Sequence, residues 1–190
     1  MGVSVAASGV AGAVRSVAAA RRVAGDMLRR LLLHLVTTRW HLRRAFPEIA
    51  LNHIEAAIKA SELTHAGELR VVLEGALTLA EVMAKVTPRA RAIAVFRDLH
   101  GWDTEANNGV VIYVLFAERA IEIIADRGFN GRVSDDEWRA ACVLAESEFR
   151  TGRFEIGLVK LITATGTLIA RHYPLRAGDV NELSNRAVLL

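Results

Sequence analysis

The chain has 190 residues, 52% of them hydrophobic and 24% charged, a length and balance that fit one globular domain burying roughly two-thirds of its unfolded surface without covalent staples. A single cysteine, Cys142, excludes an intramolecular disulfide framework and any multi-cysteine zinc cluster, and fits a reducing compartment. The net charge of +3 hides an asymmetry: residues 1–46 carry eight arginines against one acid, Asp26, which leaves about −4 on the remainder. That split suits an anionic partner, and it equally suits a basic segment docked on its own acidic domain.

Residues 1–25 have no basic start followed by an apolar core, as a secretory leader would, and read as a low-complexity Ala/Val/Arg extension, expected to be flexible. From Asp26, Met27, Leu31, Leu32 and Leu35 fall on one side of a helix with Arg29, Arg30 and His34 on the others, so residues 26–46 are expected as a basic amphipathic helix that "TTRWHLRRAFP" breaks at Pro47. Helical spacing from Ile49 to Ser61, with Pro47 near the first turn, predicts a second helix over 48–64. No stretch reaches the ~18 uncharged apolar residues that a membrane-spanning helix needs.

"ELRVVLEGAL", residues 68–77, sets Leu69, Val71 and Leu73 against Arg70, Val72 and Glu74 and reads as a strand. Thr87 before Pro88 is an N-cap and first-turn pair that opens a helix through Leu99. A strand over 109–116 follows, so this helix is a crossover and the two strands should run parallel. Ala117-Glu118-Arg119 is long enough only for a hairpin, which returns residues 120–126 antiparallel. Ser134 with Glu137 three residues on is a capping box, and Trp138, Ala141, Cys142, Ala145 and Phe149 make the apolar stripe of the helix behind it. A last helix spans 154–172, Pro174 closes it, and residues 175–190 show no sustained period, as expected of a flexible tail. The fold class expected is α/β: a three-layer α/β/α sandwich with a mixed, mostly parallel sheet of three to four strands and an N-terminal helical extension.

This topology gathers polar residues at one place. Pairing outward from the hairpin sets Asn108 opposite Gly128, within a residue or two, and the start of the first strand, Gly67 and Glu68, lies on the same edge. Asp103, Glu105, Asn107, Asn108 and Asp126 can converge there, with Arg127 among them. Carboxylates, side-chain amides and loop carbonyls suit a hard cation, Ca2+ or Mg2+; Asn, Asp and Gly are also ordinary loop formers at strand ends. Both readings stand on the residues alone.

The order of "ELRVVLE", "LHGWDTEANNGVVIYVL", "EIIADRGF" and "FRTGRFEIGLVKLI" resembles the TPM-domain family, known from a thylakoid-lumen protein of photosystem repair and from bacterial envelope proteins. The resemblance covers about residues 47–174, and Asn108-Gly109-Val110 with Phe149, Gly152, Phe154, Glu155 and Gly157 are the points that match. It implies the sandwich described above, divalent-cation binding and weak acid-phosphatase activity. In that case Asp103 or Asp126 would hold the cation and Arg127 would pair with the ester. The signal peptide and C-terminal anchor usual in the family are not seen, which points to a cytoplasmic subgroup, peripheral at the inner face of a membrane.

No Gly-x-Gly-x-x-Gly or P-loop pattern occurs, so no nucleotide is indicated, nor is haem. The six histidines show no paired-ligand spacing, and Cys142 sits mid-helix on the apolar stripe as a buried structural thiol. The rival to an enzyme is a non-catalytic interaction module whose Arg29, Arg30, Arg39, Trp40, Arg43 and Arg44 meet an anionic lipid surface or a protein partner. Nucleic acid is disfavoured, because, apart from Trp40, the basic residues are interleaved with leucines rather than with exposed aromatics.

Overall fold

The computed structural model describes residues 25–99, 107–175 and 185–190. The extension expected over 1–25, but for Gly25, lies outside these, as do Asp103 and Glu105. A helix occupies residues 25–36 (α1), and after Thr37 and Thr38 come α2 (Arg39–Ala45) and α3 (Glu48–Glu62). There follow β1 (Glu68–Glu74), α4 (Leu79–Met83), α5 (Pro88–Asp98), β2 (Gly109–Leu115), β3 (Ala120–Ala125), α6 (Asp135–Arg150), α7 (Phe154–His172) and β4 (Val188–Leu189).

Local chemistry places most of these boundaries. The Thr87 hydroxyl accepts the Ala90 amide at 3.1 Å with Pro88 in the first turn of α5, and Ser134 and Glu137 satisfy each other's orphan amides at the start of α6. Thr78 and Glu81 form the same box and start α4, a one-turn helix between β1 and α5. The expected single helix over 26–46 is divided: the Thr37 hydroxyl bonds the Leu33 carbonyl at 2.7 Å, and Thr38 opens α2 as its N-cap.

The sheet order is β3-β2-β1-β4, with β1 parallel to β2 and β4 and with β2 antiparallel to β3. Val188 and Leu189 pair with Val72 and Leu73, so the segment expected as a flexible tail ends in a two-residue strand. Side chains alternate across the sheet as a two-residue period demands. Leu69, Val71 and Leu73, with Val110, Ile112, Val114, Ile121 and Ile123, face a core shared with α2, α3, α6 and α7; Val72, Val111, Tyr113, Leu115 and Ile124 face a second core under α1, α4 and α5. This is the α/β/α sandwich.

α1 is fastened over the ends of β1 and β2. The Leu77 amide donates to His34 Nδ1 at 3.0 Å, which makes Nε2 the protonated nitrogen, and Nε2 lies 2.7 Å from Glu118 Oε1. Arg30 pairs with the same Glu118 oxygen at 2.8 Å and donates to the Val86 carbonyl, so the basic segment docks on its own domain through Arg30. At the β3 edge, the Asp126 amide bonds inward to Gly109, which leaves the Ile123 carbonyl outward; the Arg89 guanidinium donates to it at 2.6 Å.

Candidate functional site

The rim is built where β2 begins and β3 ends. Asp126 N donates to the Gly109 carbonyl at 2.9 Å and Gly128 N to the Asn107 carbonyl at 3.1 Å, so Asn108 faces Arg127, one residue from the expected partner. Glu68 of β1 pairs with Gly109 on the other side. Asn107, Asn108, Asp126, Arg127 and Glu68 therefore do share one edge.

Each has its own tether. Asn107 adopts a left-handed φ of 52°, which asparagine tolerates, and its Oδ1 accepts Arg127 Nε at 2.7 Å. Asn108 is buried and donates from Nδ2 to the Ala66 carbonyl at 2.6 Å. Asp126 is 7% exposed; its Oδ1 caps the Arg127 amide at 2.7 Å, whereas its Oδ2 is fully buried and has no hydrogen-bond partner among the described residues. A buried carboxylate oxygen left in that condition costs free energy unless something else meets it. Among the described residues no three His, Cys, Asp or Glu side chains gather as a metal-holding group, so the rim offers one orphan carboxylate oxygen amid amides and backbone carbonyls.

Sequence reasoning missed Tyr173. Its hydroxyl donates to the Gly128 carbonyl at 2.8 Å, while its own carbonyl accepts the Ala66 amide at 2.9 Å, and so the end of α7 laces two rim loops together. Only its place just before the helix-stopping Pro174 could have marked it. Gly128 is needed for this closeness, because a Cβ there would collide with the Asn107 carbonyl oxygen and the Tyr173 hydroxyl. Gly128→Ala is therefore expected to lower stability by about 1–3 kcal/mol, as overpacking does. A shift of the urea midpoint with an unchanged slope would show it, and an unshifted midpoint would mean that the rim backbone gives way freely.

A second concavity, about 490 Å3, lies along β3 between α5 and α6, lined among others by Arg89, Glu122, Trp138, Arg139, Cys142 and Glu146. Burial first, then Glu122 and Glu146, push the Cys142 thiol up to about 12, so it is a protonated thiol at neutral pH and no nucleophile. Of the residues expected to meet a partner, Arg29, Arg39, Trp40, Arg43 and Arg44 point outward, and the Arg44 guanidinium lies 5.4 Å over the Trp40 ring. No helix among the described residues is long and apolar enough to cross a membrane.

Comparison with known proteins agrees with this architecture. The family model for the TPM domain matches residues 45–168. The NMR structure of the BA42 protein from the psychrophilic bacterium Bizionia argentinensis superposes with a TM-score of 0.66 at 32% identity, over 74% of this chain and 92% of that one. The N-terminal domain of a protein from P. gingivalis shares the fold, with a TM-score of 0.51 at 17% identity over 64% of this chain and 76% of that one. No curated protein matches the chain. The family model spans α3 and nearly all of the body through α7 that carries the rim, and with the 32% identity to BA42 it shows that the chain belongs to the TPM-domain family.

Proposed function

We propose that the rim binds a hard divalent cation, Ca2+ or Mg2+, with the Asp126 carboxylate as its anionic ligand. Asn107 and Asn108, with Asp103 and Glu105 a few positions earlier in the sequence, would supply further oxygens. The observation that carries this is Asp126 Oδ2: a buried acceptor with no partner among the described residues, on a residue whose other oxygen is held by the backbone. Oxygen donors of this kind, with no thiolate or imidazole among them, fit calcium or magnesium rather than a softer metal.

Amide chemical shifts followed through calcium and magnesium titrations test the site. Saturable shifts confined to residues near 107–109 and 126–128 are expected, and Asp126→Asn should abolish them. Without metal that variant should be no less stable than the parent, because it removes an orphan charge and keeps the cap on Arg127; with saturating cation the parent alone should gain, by about 2.7 kcal/mol at a hundredfold excess over Kd. Shifts scattered over surface acids, or none, would overturn the reading.

Phosphate-ester hydrolysis is the activity this site could serve. A bound cation would neutralise phosphoryl oxygens, while the exposed Arg127, steadied by Asn107, would pair with the ester. The measurement is cation-dependent phosphate release from a generic ester, and turnover no higher than that of a double Asp103→Ala, Asp126→Ala variant would end the catalytic reading. What favours the non-catalytic alternative, an interaction module, is the lacing of the rim through Tyr173 and Gly128, to which a cation would add one more tie.

A further inference from the structure

We infer that the outer side of α1 and α2 is a docking surface for an anionic lipid bilayer. α1 has two apolar sides. Met27 and Leu31 are turned into the core beside His34, yet Leu28, Leu32, Leu35 and Val36, at helical spacing on another side, stand 51–61% exposed. Two residues further on, α2 buries Leu42 and shows Trp40, 61% exposed, together with Arg39, Arg43 and Arg44. Large apolar side chains exposed together on one element mark an interaction site rather than ordinary surface, and an amphipathic aromatic beside arginines is the composition of a membrane interface.

Charge selects the occupant. Residues 27–47 contain five arginines and no acid; Arg30 is taken by Glu118, and none of Arg29, Arg39, Arg43 and Arg44 makes an ion pair among the described residues. A second copy would bring the same positive charge to the contact, and residues 1–24 carry arginines and no acid, so neither complements the surface. A nucleic acid would complement the arginines and leave the four apolar side chains in water. A bilayer with anionic headgroups meets both demands, hydrocarbon for the leucines and negative charge for the arginines.

The surface has a defined place on the fold. His34 and Arg30 hold α1 near Leu77 and Glu118, and Leu42 of α2 packs beside Gly75, all past the C-terminal ends of β1 and β2. Asn107, Asn108 and Asp126 lie at the other end of these strands, about 20 Å away for seven extended residues. A chain seated on lipid by α1 and α2 thus presents its rim away from the bilayer.

The test is flotation of the full-length chain with vesicles of phosphatidylcholine alone or of equal parts phosphatidylcholine and phosphatidylglycerol, with EDTA present so that no cation bridges protein to lipid. Retention by the anionic vesicles alone is expected, weakening as salt is raised. An Arg39→Gln/Arg43→Gln/Arg44→Gln variant should partition less by about fivefold for each arginine. A Leu28→Ser/Leu32→Ser variant, altered only at exposed positions and checked for an unchanged circular dichroism spectrum, should lose retention as well. No retention, equal retention by neutral vesicles, or retention indifferent to either variant overturns the inference. So does a lipid-free dimer that the leucine substitutions dissolve, or duplex DNA binding that the arginine variant loses and the leucine variant keeps.

Discussion

Glu74→Ala is expected to lower the unfolding free energy by about 3 kcal/mol, near the lower end of what breaking a buried charge pair costs. Glu74 ends β1 at 5% exposure inside the second core. Its carboxylate accepts Arg91 Nε and Nη2, each at 2.9 Å, and the Tyr113 hydroxyl at 2.6 Å. Burial, and then the bond to Glu74, hold the Tyr113 phenol far above its ordinary pKa, so it remains a donor at any working pH. Truncating Glu74 orphans that hydroxyl in a dry place, at about 1–3 kcal/mol. Arg91 is half-buried and has Glu81 3.5 Å from Nη1, so it can turn outward, which keeps the loss from the upper end. Two further variants locate the cause. Glu74→Gln keeps an acceptor and should lose less, and Tyr113→Phe placed on Glu74→Ala should restore part of the stability, giving a double-mutant cycle that is not additive. Additive losses in urea denaturation would mean that the three groups do not act as a unit.

Phe149→Ala should cost about 3–5 kcal/mol, the range for removing a buried aromatic ring. Phe149 is 1% exposed in a cluster of rings, 5.1 Å from Phe154, which in turn lies 5.1 Å from Phe116 and 6.0 Å from Phe46. The ring ties α6 to Phe154 of α7, and Phe154 carries the cluster on to Phe116 of the β2–β3 turn and Phe46 at the end of α2, so the void left by alanine opens inside a close-packed cluster. Gly157 makes the fit tighter still, since a Cβ at that position would stand 2.9 Å from Phe149 Cδ1. Leu144→Ala, on the same helix but 45% exposed, is the control and should change stability by no more than about 0.5 kcal/mol. Similar urea midpoints for the two variants would show that the cluster repacks around the loss.

The Phe149 environment also explains the stretch that most resembles the family. In "FRTGRFEIG" the sequence marks Phe149, Gly152, Phe154, Glu155 and Gly157, and the structure gives most of them a fastening role. Gly152 turns the chain at a φ of +78°, Phe149 and Phe154 enter the ring cluster, and Gly157 lets α7 approach α6. Beside them Glu148, unremarked in the sequence, accepts Lys160 Nζ and Arg153 Nε, which in that order hold its carboxyl below the usual range. A pattern of residues locates a turn; whether the turn is a site or a clasp depends on what it packs against.

Elsewhere legibility follows the range of the interaction. The alternation in "ELRVVLE", the cap Thr87 before Pro88 and the box from Ser134 to Glu137 act within a few residues, so the chain states them directly. The three-residue hairpin and the crossover then carry the topology as far as the parallel β1–β2 pair and the rim. α4 had its signal, Thr78 with Glu81, but five residues are too few to show a helical period. β4 is two residues long and has no period at all. Glu74 with Tyr113, 39 residues apart, and Tyr173 with Gly128, 45 apart, leave no local trace, because neither spacing belongs to any one element. Nor does periodicity say which of two apolar sides of α1 is turned inward; His34, through Leu77 and Glu118, settles that.

The Arg89 guanidinium resting on the outward carbonyl of Ile123 bears on how these molecules behave when crowded. A bare border strand is a template on which another polypeptide can zip, and growth from it leads to fibres rather than to closed assemblies. Here one acceptor in that border is already occupied, and a fixed positive charge stands where a second molecule, bearing the same charge, would have to enter. The opposite border is a strand of only two residues, so polymerisation has little to start from at either side of the sheet.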